Sequence, residues 1–319
     1  MKFLKKKIFI IILIAGLLYL SFSVYSDFDL LILSFKNFNF SLLPLILLLS
    51  LFNYLVRFFK WSYYLKIINV NLNYIDSVMI FLSGFLMSIT PGKFGEIFKS
   101  YLIKKINGTS ISKTAPVVFA ERITDFLSLA VLALIGSYFF DYGFIISIVM
   151  TLCLITAIIL ITNKNIFNLF LISISKIKFL KGKTSKFQQL FESTEILLKI
   201  KPLSFALVIS IVSWGFECFG YFLVISNFSN EIGLIWSAFS YSFSTIVGAI
   251  SMLPGGLGIT EGSFLLMLKN SGLKLSDSTA ITLITRVSTL WFAVIIGMIA
   301  FLLFNLKYGE LNFDKENRD

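Results

Sequence analysis

Eight long apolar runs constrain this chain more than any other feature. They cover residues 8–25, 42–59, 75–90, 114–140, 143–161, 203–226, 234–253 and 279–305. A bilayer-crossing helix needs about 20 mostly apolar residues, and most of these runs approach or exceed that length. Charged residues make up only 14% of the chain and the mean hydropathy is +0.89. Soluble domains carry roughly 25% charge. The expected class is therefore an all-α, polytopic membrane protein forming a single membrane domain over 1–319, without a folded soluble domain. The run at 8–25 follows Lys5, Lys6 and Lys7 but has no clean small-residue cleavage site after it. It reads as an uncleaved first helix.

Absent residues exclude chemistry. There is no histidine, which removes His-dependent triads and His-based metal sites. Cys153 and Cys218 lie apart in apolar runs, so they read as small buried hydrophobes and not as a disulfide or metal pair. No metal, cofactor or nucleotide motif is expected. The net charge of +11 suits cytoplasmic loops of a membrane protein better than a nucleic-acid surface, because most lysines fall between apolar runs.

Two short apolar pieces follow Pro-Gly breaks: Gly95–Ile103 after Pro91-Gly92, and Ile259–Leu268 after Pro254-Gly255-Gly256. Neither is long enough to span alone. Proline and glycine break the helices there. The positive-inside rule favours folding each pair as a re-entrant hairpin. With the N-terminus cytoplasmic, the hairpin at 75–106 returns Lys104, Lys105 and Lys113 to the inside, and the segment 162–201, with eight lysines against two glutamates, is cytoplasmic. The second hairpin, 234–269, enters from the outside. The result is about six transmembrane helices plus two oppositely oriented re-entrant hairpins, with both termini cytoplasmic in the plasma membrane. Lys60 and Lys66 fall on the inner side in this layout. Irregular backbone at membrane depth needs protein or water to satisfy it, so two opposed tips imply a central cavity.

The hairpins belong to an internal repeat, units about 75–140 and 234–305. Pro91 precedes Arg122 by 31 residues and Pro254 precedes Arg286 by 32; Glu96 to Arg122 is 26 and Glu261 to Arg286 is 25. Opposite orientation makes this the inverted-repeat design of transporters. Seven ionisable residues fall at membrane depth: Glu96, Glu121, Arg122, Asp125, Glu217, Glu261 and Arg286, with Lys93 at a tip. Each unpaired charge there costs about 2.5–3.5 kcal/mol, so they must pair or line water. Arg122 and Asp125 share a helix face at i,i+3, and Glu121 neighbours Asp125 at i,i+4. Two acids beside one arginine leave room for a further cation, with Arg286 and Lys93 as candidates. A purely structural ion network and an anion-binding cavity both fit. The helix starts behind the glycine-rich tips (Gly95, Gly255, Gly256, Gly258) offer backbone N–H groups to an anion. Glu217 reads equally as a proton or cation site and as a residue hydrogen-bonded to a neighbouring helix. Gly258 and Gly262 form a GxxxG suited to close helix packing.

Pro91-Gly92-Lys93-Phe94-Gly95-Glu96, Lys99-Ser100-Tyr101-Leu102, Glu121-Arg122-Ile123-Thr124-Asp125, Pro254 to Glu261, and Arg286 together resemble the lysylphosphatidylglycerol synthase transmembrane-region family, over about residues 8–305. This is the flippase-like membrane part of the multiple peptide resistance factor. The resemblance implies a protein that moves, or helps move, a lipid across the bilayer. The chain ends shortly after the last helix, so the aminoacyl-transferase activity of two-domain relatives is not expected to carry over. Lys93 stands where the family often has arginine, which keeps the charge but loses the bidentate fork. The expected site comprises Lys93, Gly95, Glu96, Glu121, Arg122, Asp125, Gly255, Gly256, Gly258, Glu261 and Arg286. The expected ligand is an anionic or phosphate-bearing lipid headgroup. Two alternatives stand beside it: a membrane enzyme acting on a lipid-linked or polyprenyl-phosphate substrate, and a non-transporting partner of a lipid-modifying enzyme. A homo-oligomer is compatible with all three.

Overall fold

A computed structural model describes residues 15–21, 24, 27–139, 144–175 and 184–309. The described residues are helical, with no strand among them. Most of the expected first helix, 8–25, lies outside them; residues 15–21 are helical.

The helices are α1 (Phe28–Asn37), α2 (Leu43–Ile67), α3 (Tyr74–Ser83), α4 (Phe98–Asn107), α5 (Ile111–Phe139), α6 (Phe144–Thr162), α7 (Lys164–Ser175), α8 (Thr184–Leu197), α9 (Ile200–Ser226), α10 (Leu234–Ile250), α11 (Ile259–Asn270), α12 (Leu275–Arg286) and α13 (Phe292–Tyr308). Local chemistry sets several of these ends. The side chains of Asp27 and Asn73 accept hydrogen bonds from the first free N–H groups of α1 and α3, and Gly108 stops α4 in the left-handed conformation. A π-helical turn, Val287–Trp291, joins α12 to α13.

Among the described residues, three helical stretches are long and apolar enough to cross a membrane: Phe40–Ile67, Ile200–Ser226 and Leu275–Tyr308. Their outward faces carry exposed large apolar side chains, among them Leu55 and Phe59 on α2, Val208 and Val212 on α9, and Met298 and Leu302 on α13. Such a surface suits lipid and not water. Helix α5 has the length to span, at 29 residues, but carries Glu121, Arg122 and Asp125 near its middle.

Helix α2 packs on α9 through the centre. Around them the two repeat units exchange partners. The first limb of unit one, α3 with its 3-10 extension Gly84–Met87, lies against α13 of unit two; the first limb of unit two, α10, lies against α5 of unit one. Glycine makes both approaches possible. A Cβ at Gly297 would collide with the backbone of Phe85 and Leu86, and one at Gly136 with Phe239. The GxxxG does not act as one close-packing face: a Cβ at Gly258 would press on Leu18, but one at Gly262 meets nothing within 4 Å. The two Pro-Gly breaks then meet at the centre, where Pro91 and Pro254 form an isolated antiparallel bridge.

Three further expectations change. The segment 162–201 is not a plain loop: α7 and α8 occupy it, Phe167 stacks on Phe191 at 3.9 Å, and Gln189 on α8 accepts hydrogen bonds from Ser110 and Ser112 at the start of α5. Cys218 is buried, as expected, but Cys153 is exposed. Helix α2 runs to Ile67, eight residues past the expected end at 59, so Lys60 lies inside the helix and is wholly buried while Lys66 stays exposed.

Candidate functional site

The two Pro-Gly tips have the same backbone. Gly92 and Lys93 have φ of 56° and 57°; Gly255 and Gly256, at the matching positions, have 62° and 67°. The same turn bond closes each: Lys93 N–H to Thr90 O, and Gly256 N–H to Leu253 O, both at 2.9 Å. Glycine adopts this left-handed conformation freely; a side chain there costs roughly 1–2 kcal/mol. Lys93 is thus held in a strained position at the tip.

Behind each tip sits the glutamate–arginine pair that the spacing picks out. Arg122 Nη2 is 2.8 Å from Glu96 Oε2, and Arg286 Nε is 2.6 Å from Glu261 Oε1. Arg286 also donates from Nη2 to the carbonyl of Gly255 at 2.7 Å, which ties the second tip to α12. The tip N–H groups are engaged within the protein: Gly95 donates to Thr90 Oγ1 at 2.9 Å and Gly258 donates to Glu261 Oε2 at 2.7 Å. Side chains, not these N–H groups, face the central space.

Unit one holds a larger network. Asp125 bonds Lys60 at 2.6 Å, Arg57 at 3.3 Å and Arg122 at 3.5 Å. Lys99 bonds Glu121 at 2.5 Å and lies 3.8 Å from Glu96. Lys60 also donates to Ser210 Oγ on α9 at 2.7 Å. The chain of contacts thereby joins α2, the first tip, α4, α5 and α9. Burial of so many charges is tolerable only because each is paired and hydrogen-bonded. The further cations beside Asp125 and Glu121 are therefore Arg57, Lys60 and Lys99. Neither candidate named from the sequence takes that place: Arg286 is spent on Glu261, and Lys93 lies 5.9 Å above the Trp214 ring.

Arg57, Lys60 and Lys99 belong to this network but not to the site expected from the sequence, although Lys99 stands in a motif that carries the family resemblance. A signal existed. Lys99 follows Glu96 at i,i+3, and Arg57 and Lys60 are i,i+3 on one face of an otherwise apolar stretch.

A central cavity of about 70 Å³ opens between the tips, room for several waters. Gly92, Lys93, Arg122, Asp125, Gly255, Gly256 and Arg286 line it. A second space of similar size adjoins it, sharing Lys93, Trp214 and Arg286 and adding Arg57 and Glu217. Glu96, Glu121 and Glu261 are at most 1% exposed and sit behind the cations instead of on the wall. Gly95 and Gly258 do not reach the wall either. Glu217 accepts a hydrogen bond from the Tyr241 hydroxyl on α10 at 2.7 Å. The cavity therefore presents four cations and two carboxylates within an apolar shell, a surface fitted to an anion.

Several known membrane proteins are similar to this chain in sequence. A UPF0104 membrane protein from Methanocaldococcus jannaschii is 28% identical over 218 residues, 68% of this chain and 93% of the relative. A second from the same organism is 24% identical over 324 residues, 92% of this chain and 94% of the relative. One from Pyrococcus horikoshii is 23% identical over 273 residues, 76% of this chain and 81% of the relative. These relatives are named as membrane proteins, without a catalytic name. The family model for the lysylphosphatidylglycerol synthase TM region matches residues 8–297. With that match over most of its length and three apolar helices long enough to span, the chain is a membrane-embedded member of the lysylphosphatidylglycerol synthase TM-region family.

Proposed function

We propose that this protein translocates, or holds for translocation, an anionic phosphate-bearing lipid whose headgroup enters the central cavity. One observation carries the reading: both repeat units bring cations to a single cavity, and one of them, Lys93, has no carboxylate within 4 Å among the described residues. Lys93, Arg122 and Arg286 contact the phosphate. Glu96 and Glu261 neutralise the arginines when the cavity is empty, and the lipid tails stay in the bilayer. Six spanning helices and two re-entrant hairpins from opposite faces accommodate this path, within one membrane domain over 1–319. The protein lies in the plasma membrane with both termini cytoplasmic. The basic segment 162–201 offers a face to anionic lipid or to a lipid-modifying enzyme, and a second copy of the chain is a further candidate partner.

The test is leaflet exchange of fluorescent phosphatidylglycerol in vesicles holding the purified protein, read by dithionite quenching. Wild type removes the protected pool. Lys93→Ala leaves the ion pairs in place and slows exchange by about tenfold or more, the equivalent of one charge-assisted hydrogen bond. Arg122→Ala and Arg286→Ala abolish it. Exchange unchanged in all three variants overturns the reading. No protein-dependent exchange of any anionic phospholipid shifts weight to an enzyme acting on a lipid-linked substrate.

A further inference from the structure

Pairing in the central cluster is incomplete. Its basic side chains are Arg57, Lys60, Lys93, Lys99, Arg122 and Arg286; its acids are Glu96, Glu121, Asp125, Glu217 and Glu261. Every cation but Lys93 lies within 4 Å of a carboxylate, and every carboxylate but Glu217 lies within 4 Å of a cation, among the described residues. The two unmatched groups line the same space. Trp214 stands between them on that wall, one turn before Glu217 on α9, and its buried indole N–H has no partner.

Glu217 is buried, and its neighbours come from every element around it. Tyr54 and Arg57 face it from α2, Lys93 from the first tip, Tyr241 from α10 and Arg286 from α12. On its own helix lie Trp214, Cys218 and Tyr221. On its other side it borders a small void with Ser50, Thr285 and Thr289. Among the described residues, its one direct polar contact is the Tyr241 hydroxyl at 2.7 Å. A carboxyl bonded to a hydroxyl, and not locked to a cation, keeps that bond in either protonation state. When ionised it accepts from Tyr241; when protonated it still accepts on one oxygen and gains an O–H to donate. The other four acids of the cluster lack this freedom.

Ionised Glu217 and an anion in the cavity are like charges competing for the same cations. They disfavour one another, and taking up a proton at Glu217 removes the conflict. We propose that Glu217 is a proton-binding site linked to the cavity's anion: one proton enters Glu217 for each negative charge that enters beside Lys93. With Glu217 ionised and the cavity empty, the cluster carries one net positive charge; with the anion bound and Glu217 protonated, it carries the same. The proton is taken from water that reaches the cavity and is returned to it when the anion leaves. Linkage is reciprocal, so anion binding strengthens as pH falls through the titration of Glu217 and weakens by up to tenfold per pH unit above it. The transport aspect rests on the lipid reading above; the linked proton site does not.

The experiment is infrared difference spectroscopy of the full chain in nanodiscs, titrated with pH and then with dihexanoyl-phosphatidylglycerol or inorganic phosphate, in wild type and Glu217→Gln. The expected result is a protonated-carboxyl C=O band that titrates in lipid-free wild type, grows when the anionic probe is added, and is missing from Glu217→Gln. In the vesicle assay, exchange falls up to tenfold per pH unit on the alkaline side for wild type and is flat for Glu217→Gln. If no band assigned by Glu217→Gln titrates, or if it titrates but ignores both probes, the proton site is overturned whatever the vesicles do. Exchange with a flat pH profile in wild type overturns the coupling and leaves lipid movement standing. A probe-dependent band without exchange keeps the linked proton site and removes the transport reading.

Discussion

The two repeat units carry the same tip and the same glutamate–arginine pair, yet surround them differently. In unit one, the Arg122–Glu96 pair belongs to a network with Asp125, Glu121, Lys99, Lys60 and Arg57. In unit two, Arg286 has one carboxylate, Glu261, and spends its other bond on the carbonyl of its own tip. Tyr19 adds a hydroxyl to Glu261 at 3.3 Å. Unit one is thus braced from several helices, and no single contact decides where its tip sits. Unit two hangs its ion pairing on one arginine. A ligand phosphate drawing on Arg286 competes with the Gly255 carbonyl, whereas one drawing on Arg122 leaves the first tip braced. The π-helical turn directly after Arg286 fits this difference, since such turns concentrate at working sites. Ser50 and Tyr54 of α2 donate to its carbonyls at Ser288 and Thr289, at 2.9 and 3.3 Å.

The largest effect expected from this contrast is in unit one. Asp125→Ala removes the shared partner of Arg57, Lys60 and Arg122, leaving Lys60 buried without a carboxylate. Breaking a buried ion pair this way costs about 3–5 kcal/mol. Unfolding by SDS titration in mixed micelles measures it. Glu261→Gln keeps one acceptor oxygen, enough for Gly258 or Arg286 but not for both, and removes the charge. Its expected cost is smaller, up to about 3 kcal/mol, and it concentrates at the second tip: limited proteolysis near Gly255 speeds up while sites near Gly92 stay protected. Equal losses in the two variants, or proteolysis spread over both tips, would break the distinction between braced and hanging units.

The exchanged limb packing is the part of the comparison that is symmetric. Gly297→Ala and Gly136→Ala each push a methyl into the other unit's first limb, and each is expected to cost about 1–2 kcal/mol. Gly262→Ala meets open space within a helix and is expected to be neutral or to stabilise by about 0.5–1 kcal/mol. A large loss at Gly262 would restore the GxxxG as a packing motif.

These particulars show which parts of the site can be read from sequence. The pairing of Glu96 with Arg122 and of Glu261 with Arg286 was legible because both residues of each pair sit in the same unit at nearly the same spacing. Apolar runs gave the helices for the same reason: hydrophobicity is local. What joins the units is not local. Arg57 and Lys60 reach Asp125 across more than 60 residues of sequence, and Lys60 looked like the end of a span because a lysine at a run's edge normally marks the membrane surface. The buried carboxylate that reverses this lies on another helix. Likewise the glycines that matter for helix packing, Gly136 and Gly297, sit singly in apolar helices, while Gly262 of the visible GxxxG faces open space.

Lys93 offers the smallest and sharpest test. It is the residue at which the two tips differ: unit two has Gly256 there, with φ of 67° against 57° at Lys93. Lys93→Gly makes the first tip chemically like the second. It relieves a left-handed side chain, a gain of roughly 1 kcal/mol at most once the added freedom of the unfolded chain is subtracted. It breaks no ion pair, because Lys93 has none among the described residues. Stability is therefore expected to stay level or rise slightly, while phosphatidylglycerol exchange falls as in Lys93→Ala. That opposition is the mark of a residue kept under strain for what it binds. If Lys93→Gly instead loses stability and keeps exchange, the side chain serves to hold the tip, and the anion contact must be carried by Arg122 and Arg286 alone.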